Sequence, residues 1–168
     1  MSSGPVEGAT PLPAAKDVRD LLEVTLGRDV DVATGGPMVN PGADDGALVG
    51  VYVDRGLRLR ALVLFDLALA ARAGAAIALV PPGASEGAIE AGALPDPLLE
   101  NVEEILNIVR SLFNVEGAPH LTLDTTVPPG VPLAADVARW PMAYVPRLDL
   151  EVDVKGYGPG NLSIVLPT

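Results

Sequence analysis

Apolar positions recur at three- and four-residue intervals most regularly over residues 97–114. Leu98, Val102, Ile105, Val109 and Leu112 form one stripe, and Leu99, Leu106 and Phe113 widen it. The spacing predicts an amphipathic helix. Asp96 is placed to N-cap it, and Pro97 suits the first helical position, where a missing N–H leaves no bond unmade. The opposite face carries Glu100, Glu103, Glu104, Asn107, Arg110, Ser111 and Asn114. Glu104 and Asn107 are three residues apart, so they lie side by side and point outward together. Such a face is either an ordinary solvated surface or a reactive one that enters a partner's site.

The rest of the chain alternates between the two periods. Residues 1–14, rich in Gly, Pro, Ser and Ala, read as a loose arm, and residues 15–168 as a single domain. Val18, Leu21, Leu22 and Thr25 mark one side of a helix over 15–26 that Gly27 can end. Val30 and Val32 alternate with Asp29 and Asp31 as a short strand. Residues 47–65 read as a hairpin turning at Asp54-Arg55-Gly56. Asp66 caps an Ala-rich helix that Pro81 and Pro82 stop. Residues 81–95 read as a loop with at most a helical turn. After the central helix, His120 to Thr126 alternates as a strand with one wet face. Residues 134–140 suggest a short helix. Over residues 147–155, Leu148, Leu150, Val152 and Val154 face one way, and Arg147, Asp149, Glu151, Asp153 and Lys155 face a solvated side. The loop GYGPG joins this strand to a last one over 161–166. Two hairpins with helices in separate runs predict an α+β fold: a largely antiparallel sheet of two hairpins and further strands, covered by about three helices on one face.

Composition narrows the chemistry. At 168 residues the chain is long enough for a real core, and with aromatics at 4% that core must be mainly Leu, Val and Ala. There is no Cys, which excludes disulfide and thiol chemistry and fits a cytoplasmic setting. The one His, His120, leaves no His-based metal site. A net charge of −11 disfavours nucleic acid, and with lysine only at 16 and 155 no polybasic membrane patch exists. The first residues lack a positive n-region and an apolar core, so they do not read as a secretory signal, and no apolar run reaches membrane-spanning length.

Most candidate sites dissolve on inspection. No GxGxxG, GxxxxGK[ST] or GxSxG motif occurs, and GYGPG sits between strands rather than before a helix. Asp44 and Asp45 have no nearby residues to complete a cation site. His120 reads as structural, and Trp140 either anchors a partner or belongs to a satellite core. No metal ligands are assigned.

The tetrad Glu104-Ile105-Leu106-Asn107 remains. An E-x-x-N on an amphipathic helix resembles the signature of the CheC/CheX family of phosphatases acting on phosphorylated response regulators. The order of elements is similar too. It has an N-terminal helix, a hairpin followed by an Asp-led helix, the E-x-x-N helix, a Thr-rich strand near a Pro turn, and a C-terminal hairpin, over about residues 15–166. The resemblance implies that Glu104 and Asn107 enter the active site of a phosphorylated response-regulator receiver domain. Asn107 orients the attacking water, and Glu104 pairs with the receiver's lysine. Glu100, Glu103, Arg110 and Ser111 would line the docking face. The receiver supplies the aspartyl phosphate and Mg²⁺, so no cofactor of the chain's own is implied. In-line phosphoryl transfer needs positioning and charge stabilisation more than covalent help, and an amide can hold a water as donor and acceptor.

Two departures qualify the resemblance. Ile108-Val109-Arg110-Ser111 follows Asn107 where family members carry small or Gly-containing residues. The first helix, DVRDLLEVTL, has no second E-x-x-N, which leaves one site, as in the CheX branch. Three readings follow. The chain is a receiver phosphatase, a non-catalytic CheC/CheX-like binding or scaffold module, or an unrelated α+β domain with a chance E-x-x-N. The resemblance also implies a homodimer through sheet edges, in which the strand over 147–155 pairs with its copy if it lies at an edge.

Overall fold

The computed structural model describes residues 9–168. Of the arm expected over residues 1–14, residues 1–8 lie outside the described residues, and 9–14 run without regular structure into the first helix. The elements follow in the order α1 (Ala15–Leu26), β1 (Val30–Thr34), β2 (Ala47–Val53), β3 (Leu59–Asp66), α2 (Leu67–Ile77), α3 (Pro82–Ala91), α4 (Asp96–Val109), β4 (Thr122–Val127), α5 (Ala135–Ala138), β5 (Arg147–Val154) and β6 (Gly158–Val165). A single 3-10 turn, Arg110–Leu112, extends α4. The six strands form one sheet in the order β1-β5-β6-β3-β2-β4, with every neighbouring pair antiparallel. The two expected hairpins are β2–β3 and β5–β6, and they join side by side along β3 and β6.

Period-two alternation decides which strand residues face the helices. Leu48 and Tyr52 of β2, Val63 and Phe65 of β3, Leu150 and Val152 of β5, and Leu162 and Ile164 of β6 pack with Val18 and Leu22 of α1, Leu69 and Ala73 of α2, and Val102, Ile105 and Leu106 of α4. Small residues let the layers approach. A Cβ at Gly160 of β6 would sit 2.5 Å from the Cβ of Leu69, and one at Gly74 of α2 would sit 2.7 Å from the Leu98 carbonyl oxygen of α4. Asp66 caps α2 as expected, accepting from the Leu69 N–H at 2.8 Å, and Gly27 ends α1 in the left-handed conformation at φ 66°.

Several expectations need correction. Residues 82–91 form a full helix, α3, where the sequence suggested a loop. Gly83 and Gly87 dilute its period, but Pro82 suits a first turn, the Ser85 hydroxyl donates to the Pro82 carbonyl, and Gly92 closes the helix at φ 68°. Its buried Ser85 and Ala88 show why it forms: Ala88 lies against Ala71 and Ala75 of α2. The N-cap of α4 is Pro95, not Asp96, which lies in the first turn and makes no capping bond. The last strand begins at Gly158, inside the GYGPG loop.

Strand β5 is not at an edge. It lies between β1 and β6, so the free edges are β1 and β4, and the condition for pairing β5 with its own copy is not met. Its outward face is also drier at one end than the alternation suggested. Arg147 grips Asp149 through two 2.9 Å bonds, and its guanidinium also donates to the carbonyls of Pro141 and Ala143. The buried Ser163 hydroxyl donates to Asp149 at 2.6 Å and accepts from the Val39 N–H at 3.0 Å. This network pins the loops around residues 39 and 141–143 over the second face. There Val49, Val51, Leu62 and Leu64 are covered by Val39, Val137, Leu133 and Trp140. Trp140 is thus satellite core, with the Arg139 guanidinium 4.9 Å from its ring.

The β2–β3 turn is closed by Asp54. Its carboxylate accepts from the N–H groups of Gly56 and Arg58 at 2.8 and 3.0 Å and pairs with Arg60 at 2.7 Å. The Arg58 N–H bond, then the Arg60 pairing and the Gly56 N–H, hold this carboxyl below its ordinary value of 3.8.

Two predictions follow from the packing and the turn. Gly160→Ala should lower stability by about 1–3 kcal/mol in chemical denaturation, because Leu69 leaves no room for a methyl. Gly87→Ala, with open space around it in α3, should raise stability by about 0.4–1 kcal/mol. Because the folded Asp54 carboxyl titrates below 3.8, its stabilisation is full above that value and is lost as pH falls through the lower folded value. The stability gap between native protein and Asp54→Asn should therefore narrow in acid, read by denaturation midpoints from about pH 6 to about pH 2.5.

Candidate functional site

Helix α4 buries Leu98, Val102, Ile105, Leu106 and Val109, the stripe read from the sequence. Four contacts seat it. The Tyr52 hydroxyl donates to the Leu106 carbonyl at 2.6 Å. That oxygen lies in the last turn of α4, so the bond ties the C-terminal end of the helix to β2. Burial pushes the Tyr52 phenol well above its ordinary value, so it stays a neutral donor at any working pH. Beneath the same residue lies Gly50, where a Cβ would meet a Leu106 methyl at 3.2 Å. The Phe113 ring lies 5.4 Å from the Tyr52 ring, tilted at 55°. Farther up, the Asn101 amide donates to the Gly74 carbonyl of α2 at 2.9 Å.

This seating decides what faces out. Glu100, Glu104, Asn107 and Ser111 are exposed, and Glu103 and Arg110 are half-buried. Glu104 and Asn107 stand one turn apart on the same outward face, with their Cβ atoms about 5–6 Å apart in helical geometry. Within the described residues, no hydrogen bond or ion pair ties either side chain down. Surface clefts open elsewhere, one of about 560 Å³ lined by the end of α1, β1 and the end of β5, another of about 460 Å³ between residues 54–56 and 118–120, and neither is lined by Glu104 or Asn107. An exposed carboxylate–amide pair outside these clefts suits insertion into another molecule's site better than enclosure of a small molecule.

Glu100, Glu103 and Glu104 stack three carboxylates within about one turn, and among the described residues none is in an ion pair. Like charges at this spacing cost a few tenths of a kcal/mol per pair, roughly 0.2–0.5. The arrangement favours a cation brought from outside. Among the described residues no group of three or more His, Asp or Glu side chains is placed to hold a metal. No helix among them is long and apolar enough to cross a membrane.

One member of the expected outward face is elsewhere. The helix gives way at Arg110 to the 3-10 turn, and this swings Asn114 inward. Its amide donates to the Leu121 carbonyl at 3.0 Å and accepts from the Leu121 N–H at 2.7 Å, tying the end of the helix to the segment that leads into β4. The positioning residues Tyr52, Gly50 and Asn101 were not singled out from the sequence. A glycine inside an apolar strand, two residues before a tyrosine whose hydroxyl needs a partner, was the available signal.

Comparison with solved structures identifies the fold. The FliM middle domain from Vibro alginolyticus aligns at a TM-score of 0.56 and 16% identity, covering 91% of this chain and 88% of that one. FliY from Thermotoga maritima aligns at 0.53 and 18%, covering 89% and 82%. A CheC-like superfamily protein from Shewanella SP. PV-4 is also similar, at 0.47 and 11%, covering 91% and 94%. At these identities the likeness is one of fold, and the mixed α+β architecture agrees with the fold that the CheC/CheX resemblance implied. No family model matches the chain, and no curated protein matches it.

The seating of α4 is testable. Tyr52→Phe strips the Leu106 carbonyl of its buried donor and should lower stability by about 1–3 kcal/mol. Glu104→Ala and Asn107→Ala, with no side-chain partners among the described residues, should stay within about 0.5 kcal/mol of native by the same denaturation measurement.

Proposed function

We propose that this chain docks on a response-regulator receiver domain and promotes hydrolysis of its aspartyl phosphate, with Glu104 and Asn107 entering the receiver's site. The observation that carries this reading is the exposed carboxylate–amide pair, without a side-chain partner among the described residues, on the outer face of a helix whose inner face is seated by Tyr52. Asn107 holds a water in line with the phosphorus, its amide donating to and accepting from that water. Glu104, backed by Glu100 and Glu103, takes the receiver's lysine, which the unneutralised acidic face of α4 favours. Arg110 and Ser111, at the C-terminal end of the face, contact the receiver's rim. The Mg²⁺ belongs to the receiver, where it neutralises developing charge. Seating by Tyr52 matters because a misplaced water gives up the gain from orientation.

A second reading has its own support. A FliM domain of this fold has been solved in complex with FliG, from H. pylori, at a TM-score of 0.50 and 11% identity, covering 91% of this chain and 86% of that one. In that reading the chain is a binding or scaffold module without turnover.

Phosphate release from receivers of the same organism, phosphorylated in the presence of Mg²⁺, separates the two. A phosphatase accelerates release, and Asn107→Ala lowers that acceleration by about a hundredfold, the scale of losing one positioned polar group. Glu104→Ala weakens receiver binding. Binding of a receiver with no acceleration, unchanged in Asn107→Ala, selects the scaffold reading. No binding to any receiver ends both.

A further inference from the structure

The tip of the β2–β3 hairpin keeps a strained residue in an exposed place. Leu57 adopts φ 62°, the left-handed region, and is 76% exposed. The Leu57 N–H donates to the Asp54 carbonyl at 3.0 Å, and the Asp54 N–H donates to the Arg58 carbonyl at 3.1 Å. This is a three-residue hairpin loop, whose last position favours glycine because a Cβ strains there. A leucine in that position neither relieves the turn nor reaches the core. Such an outlier points from structure toward a role in contact. The other left-handed leucine, Leu79, has a local reason: it terminates α2, its N–H bonding to the Ala76 carbonyl at 3.1 Å.

The surroundings of Leu57 are cationic in a chain of net charge −11. Arg55 and Arg58 flank it, both exposed and, among the described residues, in no ion pair. His120 abuts the turn across a cleft of about 460 Å³ shared with Asp54, Arg55 and Gly56. Asp54 is already matched by Arg60, so Glu116 is the acidic group left in the neighbouring loop. The tip is linked to the end of α4 through bonded neighbours: Asn114, just past the helix, is bonded to Leu121, and the adjacent His120 lines the cleft beside the tip.

We propose that this tip is a second contact for the receiver partner, with Leu57 entering an apolar recess and Arg55 and Arg58 pairing with carboxylates around it. The proposal rests on the receiver reading of α4. A partner whose site carries an aspartyl phosphate is anionic there, and it meets carboxylates on α4 only where it offers its lysine. The cationic tip supplies complementary charge in a chain that is otherwise strongly acidic, and adds to Arg110 at the end of α4. Two exposed arginines are too few for a nucleic acid or an anionic membrane, where four to eight clustered basic residues are typical, and the net charge opposes both.

The test uses a receiver loaded with beryllofluoride and Mg²⁺, with affinity read by fluorescence anisotropy and Tm by thermal melting. Leu57→Gly should raise Tm by about 2–4 °C while weakening Kd about tenfold, a split that a merely structural residue would not produce. Arg55→Glu with Arg58→Glu should weaken Kd and flatten its salt dependence. A raised Tm with native Kd in Leu57→Gly overturns the proposal. If all tip variants bind as native while Asn107→Ala abolishes turnover, the α4 reading stands and the tip proposal falls. If native protein binds no receiver, both fall together. Binding to phosphatidylglycerol vesicles that is lost in the double arginine variant would also overturn it, assigning the patch to a lipid surface.

Discussion

The hydroxyl of Tyr52, donating to the Leu106 carbonyl at 2.6 Å, is the contact on which the placement of α4 depends. A buried phenol without a partner would cost more than the bond gains, so tyrosine and helix fix each other. Gly50 admits the Leu106 side chain directly over the sheet, and Phe113 closes against the tyrosine ring. Together they set the rotation of the helix about its axis. That rotation buries Ile105 and Leu106 and leaves Glu104 and Asn107 in solvent. A helix held only by a greasy stripe can roll by several degrees. One pinned by a directional bond to a central element cannot do so without breaking the bond.

Close approach elsewhere serves the same end. Gly160 lets α2 lie against β6, Gly74 lets α4 lie against α2, and Ala71 and Ala75 let α3 settle on the outer side of α2. With aromatics at only 4%, the chain compensates for thin side chains by bringing backbones together. On the far face, where no long helix lies, the Arg147–Asp149–Ser163 network holds loops over Val49, Val51, Leu62 and Leu64. Each member is satisfied, which is the condition under which a shielded charged group does not destabilise.

Charge is distributed to match this architecture. Among the described residues, Glu100, Glu103 and Glu104 of α4 and Arg55 and Arg58 of the β2–β3 tip are in no ion pair, so the two surfaces carry opposite charge. A partner spanning both would meet opposite charges at the two ends of its footprint, and such a pattern specifies orientation as much as affinity.

Alternation and helical period were enough to read both hairpins, the Asp66 cap, the Gly27 stop, the buried stripe of α4 and the outward pairing of Glu104 with Asn107. These are local consequences of side-chain spacing and backbone preference. Helix α3 escaped because its stability comes from burying Ala88 against α2, not from its own period. The interior place of β5, the inward turn of Asn114 and the dry end of the β5 outer face all depend on which distant segment lies alongside, and no local pattern encodes that. Sequence by itself determined which side chains share a face. Tertiary structure alone decided which face is held rigid, because the partners doing so, Tyr52 with Leu106 and Gly74 with Leu98, are far apart in the chain and meet only when the sheet and helices close.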